Sequence, residues 1–345
     1  MILNKQNDLY QEDLANILSV KKIDALNGKS VLITGATGMV GTCLIDALMK
    51  YNAAINAGIK VYAVGRNKEK AALRLGEYFD NALFSFIEQD VRAPFPADLE
   101  VDYVLPLASN THPMAYSKYP VETIDINVEG ARNALDLATR CGASVLYPSS
   151  VEIYGNGTVD FSEEDTGNLN LATSRACYTE SKRVSEAMCQ SYISEHGVDC
   201  KIVRLSRLFG PTMLESDTKA SSQFILKAIA GENIVLKSKG EQLFSYTYVA
   251  DAVKAILFVM LNGECGKAYN VASEASNVRL AHFAKVCADQ AGTSVVFDLP
   301  SETEAKGYSI ASKAVMSSSR LVEAGWNAVY SFEDAIERTI KVLSH

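Results

Sequence analysis

From Ser30 to Leu48 the chain reads "SVLITGATGMVGTCLIDAL". A short apolar run rich in β-formers leads into Gly35, Gly38 and Gly41, and apolar residues then recur at helical spacing. Few structures accept that order. Glycines allow a sharp turn and a close backbone approach, and the following helix offers unpaired N–H groups to an anion. A strand, a tight turn and a helix of this kind form the first half of a βαβ unit that cradles the pyrophosphate of a dinucleotide. Thr37, Met39 and Val40 complete the turn.

The next 170 residues repeat the alternation. Strands are expected at "KVYAVG", "LFSFIEQD", "VDYVLPLA", "SVLYPSS" and "DCKIVRLS", separated by segments of helical period such as Val128, Ala131, Ala134, Leu135 and Ala138. The strands are continuously apolar, as in a parallel sheet covered on both faces. This predicts an α/β fold with a doubly wound parallel sheet. After "LFGP" the regularity weakens, which indicates a smaller C-terminal α/β lobe over the edge of the sheet where such folds bind ligands. The expected division is an N-terminal helical extension at 1–27 and a dinucleotide domain at 28–206 with return segments near 246–273. A substrate-binding lobe takes 207–245 and 274–345, with Trp326 as a packing residue.

No apolar stretch among the 345 residues approaches the roughly 18 that cross a bilayer. The start lacks a secretory pattern. Seven scattered cysteines show no metal spacing, so reduced thiols in a cytoplasm are expected and no metal site is. A net charge of −8 with no basic stripe argues against nucleic acid, and nothing indicates a membrane partner.

The second strand ends in "AVGRN", with no carboxylate to hold an adenosine ribose. Arg66 there is a candidate for the 2′-phosphate of NADP, for stacking on adenine, or for a solvated surface position, so NAD and NADP both stay open. Asp90 is placed to accept from the adenine amino group. Leu107, Ala108 and Ser109 would pass beneath the nicotinamide side.

In "YTESK", Tyr178 and Lys182 lie four apart in a segment of helical period that stops at Gly197. Residues i and i+4 share a helix face. The ammonium is therefore expected near the phenol, where it favours phenolate for proton abstraction from a sugar hydroxyl. Alone, such a pair is common on surfaces; downstream of the glycine loop it points to catalysis. In "SSVEIYG", Ser150, Glu152 and Tyr154 form a polar exit from a core strand, either a solvated loop or a catalytic edge.

Together, "TGATGMVG", "SSVEIYG", "YTESK", "RLSRLFGP", "YVADAV" and "SSRLVEAGW…SFEDAIERTI" resemble the extended short-chain dehydrogenase/reductases that modify nucleotide-diphosphate sugars. The resemblance implies a Rossmann fold and bound NAD. It makes Ser150 a hydrogen-bond partner of the reacting sugar oxygen, Tyr178 the acid/base, and Lys182 a ribose ligand that depresses the tyrosine pKa. It adds Val91 and Asn127 to the cofactor contacts, Thr111, Arg175 and Arg207 to the substrate contacts, and a homodimer to the expectations.

The 4,6-dehydratases of this group carry Thr-Asp-Glu where this chain has Ser150, Val151 and Glu152. Hydroxyl, small residue and Glu is the pattern of UDP-glucuronate decarboxylases, which "SRACYTESKR" and "THPMAYSKYPVETI" also resemble. The implied activity is oxidation at C4 by NAD with loss of the C5 carboxylate. Epimerase, 4,6-dehydratase or 4-ketoreductase are alternatives, and a non-catalytic dinucleotide sensor is a remote one. Two positions depart from the family pattern. Phe244 stands where an arginine usually clamps the diphosphate, and Arg207 where an asparagine is usual, which suggests a relocated phosphate contact. His112 is read as structural.

Overall fold

The computed structural model describes residues 3–155, 160–299 and 313–344. In chain order, helix α1 (Asp8–Leu18) precedes β1 (Ser30–Thr34), α2 (Met39–Ile55), β2 (Lys60–Gly65), α3 (Lys68–Leu75) and β3 (Phe84–Glu88). Then come β4 (Tyr103–Pro106), α4 (Pro113–Lys118), α5 (Pro120–Cys141), β5 (Ser144–Ser150), α6 (Ala176–His196) and β6 (Cys200–Leu205). The rest comprises β7 (Arg207–Phe209), α7 (Ala220–Ile229), β8 (Ile234–Leu236), β9 (Leu243–Tyr248), α8 (Val249–Asn262) and β10 (Ala268–Val271). After these follow β11 (Asn277–Arg279), α9 (Leu280–Ala291), β12 (Val295–Phe297), β13 (Lys313–Ala314), and terminal helices Ser319–Glu323 and Phe332–Leu343.

Seven strands form one parallel sheet in the order β10-β6-β5-β4-β1-β2-β3. Successive side chains of β1 enter different cores. Val31 and Ile33 pack with Leu44 and Leu48 of α2 and with Val253 of α8, whereas Leu32 packs with Ala134 and Leu135 of α5 and Cys189 of α6. Burial on both faces is why these strands are apolar without alternation. The strand read at "GKAYNVA" joins this sheet as its seventh member, beyond β6.

The chain order reverses between β1 and β4, which pair directly with Thr34 beside Pro106. Helices leave on opposite faces at such a point, and the strand ends part to leave a crevice. Over that edge lies a second sheet centred on β9, which pairs with β7 and β13 in parallel and with β11 antiparallel. Short strands β8 and β12 form a separate parallel pair. Trp326 is buried at 2% exposure, in the main core as expected of a packing residue.

Helix α1 starts at Asn7, whose side chain accepts from the Leu9 N–H, and it packs on α2 and α8. Its anchor is polar. Asp46, within α2 and 1% exposed, accepts from Lys5 Nζ at 2.6 Å, Tyr10 Oη at 2.7 Å and Tyr78 Oη at 2.9 Å. Breaking a buried, satisfied network at one member leaves the others desolvated. Asp46→Ala is therefore expected to lower the unfolding free energy by about 3 kcal/mol, read by urea denaturation. A change below about 0.5 kcal/mol, typical of surface sites, would show that the network carries no stability.

Candidate active site

The β1–α2 turn shows why its glycines are required. Gly35 has φ +61°, and a Cβ there would lie 2.8 Å from the Ala108 backbone nitrogen. A Cβ on Gly41 would meet the Gly35 carbonyl oxygen at 2.5 Å. Gly38 caps α2 with no side chain to satisfy the first-turn N–H groups. The Ala108 N–H donates to Thr34 Oγ1 at 3.0 Å, tying the end of β1 to the chain leaving β4. Thr34, Val91, Ala108, Asn127 and Lys182 line one narrow cleft at this crevice. Asn127 donates to Ser181 Oγ at 2.8 Å, while its Oδ1 and the Ser109 hydroxyl are buried without a partner among the described residues. An uncapped helix start, a floor stripped of Cβ atoms and orphaned polar atoms at the far end suit a dinucleotide.

Arg66 is half-exposed and ion-paired at the end of β2. Its Nη1 lies 2.7 Å from Glu122 Oε1, at the start of α5, and 3.9 Å from Asp90 Oδ2. Asp90 also accepts from the Arg92 side chain, which with nearby positive charge holds its carboxyl below the usual range. Arg66 is thus matched by two carboxylates. Glu122 was illegible as a site residue because it lies 56 positions away.

On the reacting side, Ser150 ends β5 and caps the one-turn 3₁₀ helix Val151–Tyr154, accepting from the Glu152 N–H at 3.2 Å. Ser150 performs the local capping, and the Glu152 side chain, 40% exposed, turns its carboxylate to Arg207, whose Nη2 lies 3.2 Å from Oε1. Tyr154 departs from its reading as part of a polar exit. It is fully buried, stacks on Phe161 with 4.8 Å between ring centroids, and donates to Asn270 Oδ1 at 2.7 Å.

Helix α6 runs to Gly197, which has φ +70°, and it carries Tyr178 and Lys182 one turn apart. Tyr178 is buried and stacks on Tyr116 of α4, with centroids 5.5 Å apart. Burial pushes the phenol pKa well up, a hydrogen bond with Ser150 lowers it, and Glu152 and Tyr116 raise it further. The expected cationic depression by Lys182 is not among these influences. The Lys182 ammonium instead donates to the Pro148 carbonyl at 2.8 Å and sits 5.0 Å from the centre of the Tyr147 ring. Burial pushes its own pKa down to about 8.

Tyr116 was missed in the sequence, and only its place in "THPMAYSKYP" hinted at it. Its pKa is pushed up to about 12 by burial and by Glu152, against Arg175 and Arg207. Thr111 and Arg175 are both exposed. His112 precedes α4, and its Nδ1 is buried without a partner among the described residues.

Residues 31–272 match the NAD dependent epimerase/dehydratase family. UDP-glucuronic acid decarboxylase 1 of Xenopus tropicalis is 32% identical over 93% of this chain and 73% of its own length. An epimerase of Methanothermobacter thermautotrophicus superposes with a TM-score of 0.77 at 20% identity, covering 96% of this chain and 95% of that one. The UDP-glucuronic acid 4-epimerase of Bacillus cereus, solved with UDP-glucuronic acid and NAD, gives 0.76 at 16% identity, covering 91% and 98%. At these identities the solved structures establish the fold.

Lys182 has a consequence for stability. Below about pH 8 it is charged whether folded or unfolded, and its buried charge is a cost. Between about 8 and 10.5 the folded protein loses the proton first and the cost fades. Lys182→Met is expected to be more stable than the parent by about 2 kcal/mol at pH 7, with most of that gain gone near pH 10, by urea denaturation. A gain independent of pH would overturn this view of the ammonium.

Proposed function

The chain belongs to the NAD dependent epimerase/dehydratase family, and from that premise we propose that it oxidises a nucleotide-diphosphate sugar at C4 and decarboxylates it, with UDP-glucuronate as substrate. One observation carries the reading: Ser150, Glu152 and Tyr178 are interconnected at the mouth of the crevice, next to the cleft lined by Lys182. The relative from Xenopus tropicalis supports the choice of reaction.

NAD, when bound, would supply reversible acceptance of hydride from the sugar C4. Gly35, Gly38 and Gly41 would hold its pyrophosphate against α2, with Thr37, Met39 and Val40 alongside. Asp90 and Arg66 would flank the adenosine, and Val91, Leu107, Ala108, Ser109 and Asn127 would line the path to the nicotinamide. Tyr178 receives the C4 hydroxyl proton while Ser150 holds that oxygen. The substrate then has a ketone β to the C6 carboxylate. Loss of carbon dioxide leaves the electron pair delocalised onto the C4 oxygen, where Tyr178 and Ser150 stabilise it. C5 must then take up one proton from solvent, for which Glu152 would be the relay, and Tyr178 finally returns its proton to the C4 oxygen. Lys182, which donates to the Pro148 carbonyl at 2.8 Å, would hold the nicotinamide ribose and, from there, favour the phenolate of Tyr178. Thr111 and Arg175, both exposed, would contact the sugar nucleotide.

The outward faces of α5 and α6 leave Val121, Ile124 and Val184 between 42% and 69% exposed, apolar surface that a second copy would cover in a homodimer. All seven cysteines are free, which suits a reducing, cytoplasmic setting. No described helix is long and apolar enough to cross a membrane.

Incubation of the purified protein with UDP-glucuronate, UDP-glucose and dTDP-glucose, followed by mass spectrometry, separates the candidate reactions. Carbon dioxide loss from UDP-glucuronate is expected. Water loss would identify a dehydratase, and an unchanged mass with altered chromatographic mobility an epimerase. Tyr178→Phe is expected to slow the reaction by at least ~100-fold. The cofactor end has its own measurement. Glu122→Ala frees Arg66 and is expected to tighten NADP binding roughly fivefold by calorimetry, leaving NAD within about twofold. Unchanged NADP affinity would mean that Glu122 does not restrain Arg66.

A further inference from the structure

Three groups that look unrelated in the sequence meet at the mouth of the crevice. Arg207 projects from β7, whose register sets it opposite Tyr246 of β9. Its guanidinium lies over the Phe244 ring, 3.9 Å from the ring centre, and its Nη2 donates to Glu152 Oε1 at 3.2 Å. Its Nη1 is buried and has no hydrogen-bond partner among the described residues. Phe244 is a fixed platform, 9% exposed, edge-on to Tyr246 and held by backbone pairing to both β11 and β13. Tyr116 and Tyr246, whose phenols Arg207 also influences, complete the surroundings.

A guanidinium presents five donors in a flat fork suited to two-oxygen anions. Arg207 spends one on a long bond to a half-exposed carboxylate and leaves another unused in a buried position. An unsatisfied buried donor on a charged group is costly. Stacking on an aromatic ring fixes the plane of the fork without using its edge. This arginine therefore has a defined orientation, unused capacity and a partner that is easily displaced.

We propose that Arg207 and Glu152 form an exchangeable pair, in which an oxyanion of the sugar nucleotide replaces Glu152 on the guanidinium and releases the Glu152 carboxylate toward the reacting carbons. The inference rests on the reading of the protein as a sugar-nucleotide enzyme and adds to it a residue that selects for negative charge. The anion is either the sugar carboxylate or the diphosphate, which present the same paired oxygens. Exchange makes the carboxylate available only when an anionic substrate is seated. It also preserves charge balance, because each anion leaves the cation as the other arrives.

The test uses the NAD-loaded protein in a Tyr178→Phe background to prevent turnover, with calorimetric binding of UDP, UDP-glucose and UDP-glucuronate. Arg207→Ala is expected to weaken binding at least ~tenfold. Equal weakening of all three ligands assigns the diphosphate, and selective weakening of UDP-glucuronate assigns the carboxylate. Glu152→Gln removes the competing anion and is expected to tighten the same ligands roughly threefold. Parental affinity in Arg207→Ala, or unchanged or weaker affinity in Glu152→Gln, overturns the exchange. Arg207→Gln keeps a polar side chain, though a shorter one, without the charge and carries the same expectation as alanine should that variant fold poorly. If the parent binds none of the three ligands, the sugar-nucleotide reading fails and this inference falls with it. Binding by the parent that ignores Arg207 sinks the inference alone.

Discussion

The backbone contact between Gly35 and the Leu107–Ala108 peptide is the constraint on which the site depends. Strands β1 and β4 are hydrogen-bonded neighbours, yet the chain must leave them on opposite faces of the sheet. The two exits pass so closely that a single methyl group on Gly35 would meet backbone atoms of both residues within 3 Å. Because they are that close, the floor of the crevice is bare backbone, and α2 can start beside the space a dinucleotide needs. Side chains arriving from β5, α5 and α6 then face the same opening. Every group in the proposed mechanism is positioned relative to this one parting of the strands.

The packing around Tyr178 favours the protonated phenol. A phenol within a low-dielectric site prefers to stay neutral, and the stacked Tyr116 and nearby Glu152 reinforce that preference. The lysine one turn away is held by a carbonyl and a ring face, both of which suit an ammonium better than they suit a free base. Burial penalises the lysine charge and thus favours its transfer to a ligand with many acceptors. A ribose diol is such a ligand. Under the proposed function, the same ammonium would serve both a cofactor ribose and the phenol one turn away.

Much of this was legible because it is local. A strand, a turn with three glycines and a helix are adjacent in sequence, and so are Tyr178 and Lys182 on one helix face. Double-sided burial wrote itself into the unbroken apolar strands, down to Leu32 facing one core while Val31 and Ile33 face the other. What escaped depends on tertiary register. Glu122 reaches Arg66 across 56 positions, and Glu152 reaches Arg207 across 55. Helical spacing places Lys182 beside Tyr178, yet it does not say which acceptor the long side chain will choose. Tyr154 looked like a polar exit because the sequence does not show that Phe161 and Asn270 enclose it.

Phe244 and Arg207 illustrate how two departures from a pattern acquire meaning only together. Each alone is a lost or a gained charge. In the fold, β7 and β9 are paired, and the aromatic ring of one lies under the guanidinium of the other. The ion pair that results with Glu152 is partly exposed and long, the kind whose net contribution is about 0–1 kcal/mol. Its weakness is functionally useful. A strong buried bridge would compete with any incoming anion, whereas a marginal one costs almost nothing to exchange. The stacking on Phe244 is indifferent to which anion occupies the edge of the fork, so the cation keeps its orientation through the swap. A carboxylate restrained by so slight an interaction can be both neutralised in the resting protein and available once a more strongly bound anion takes its place.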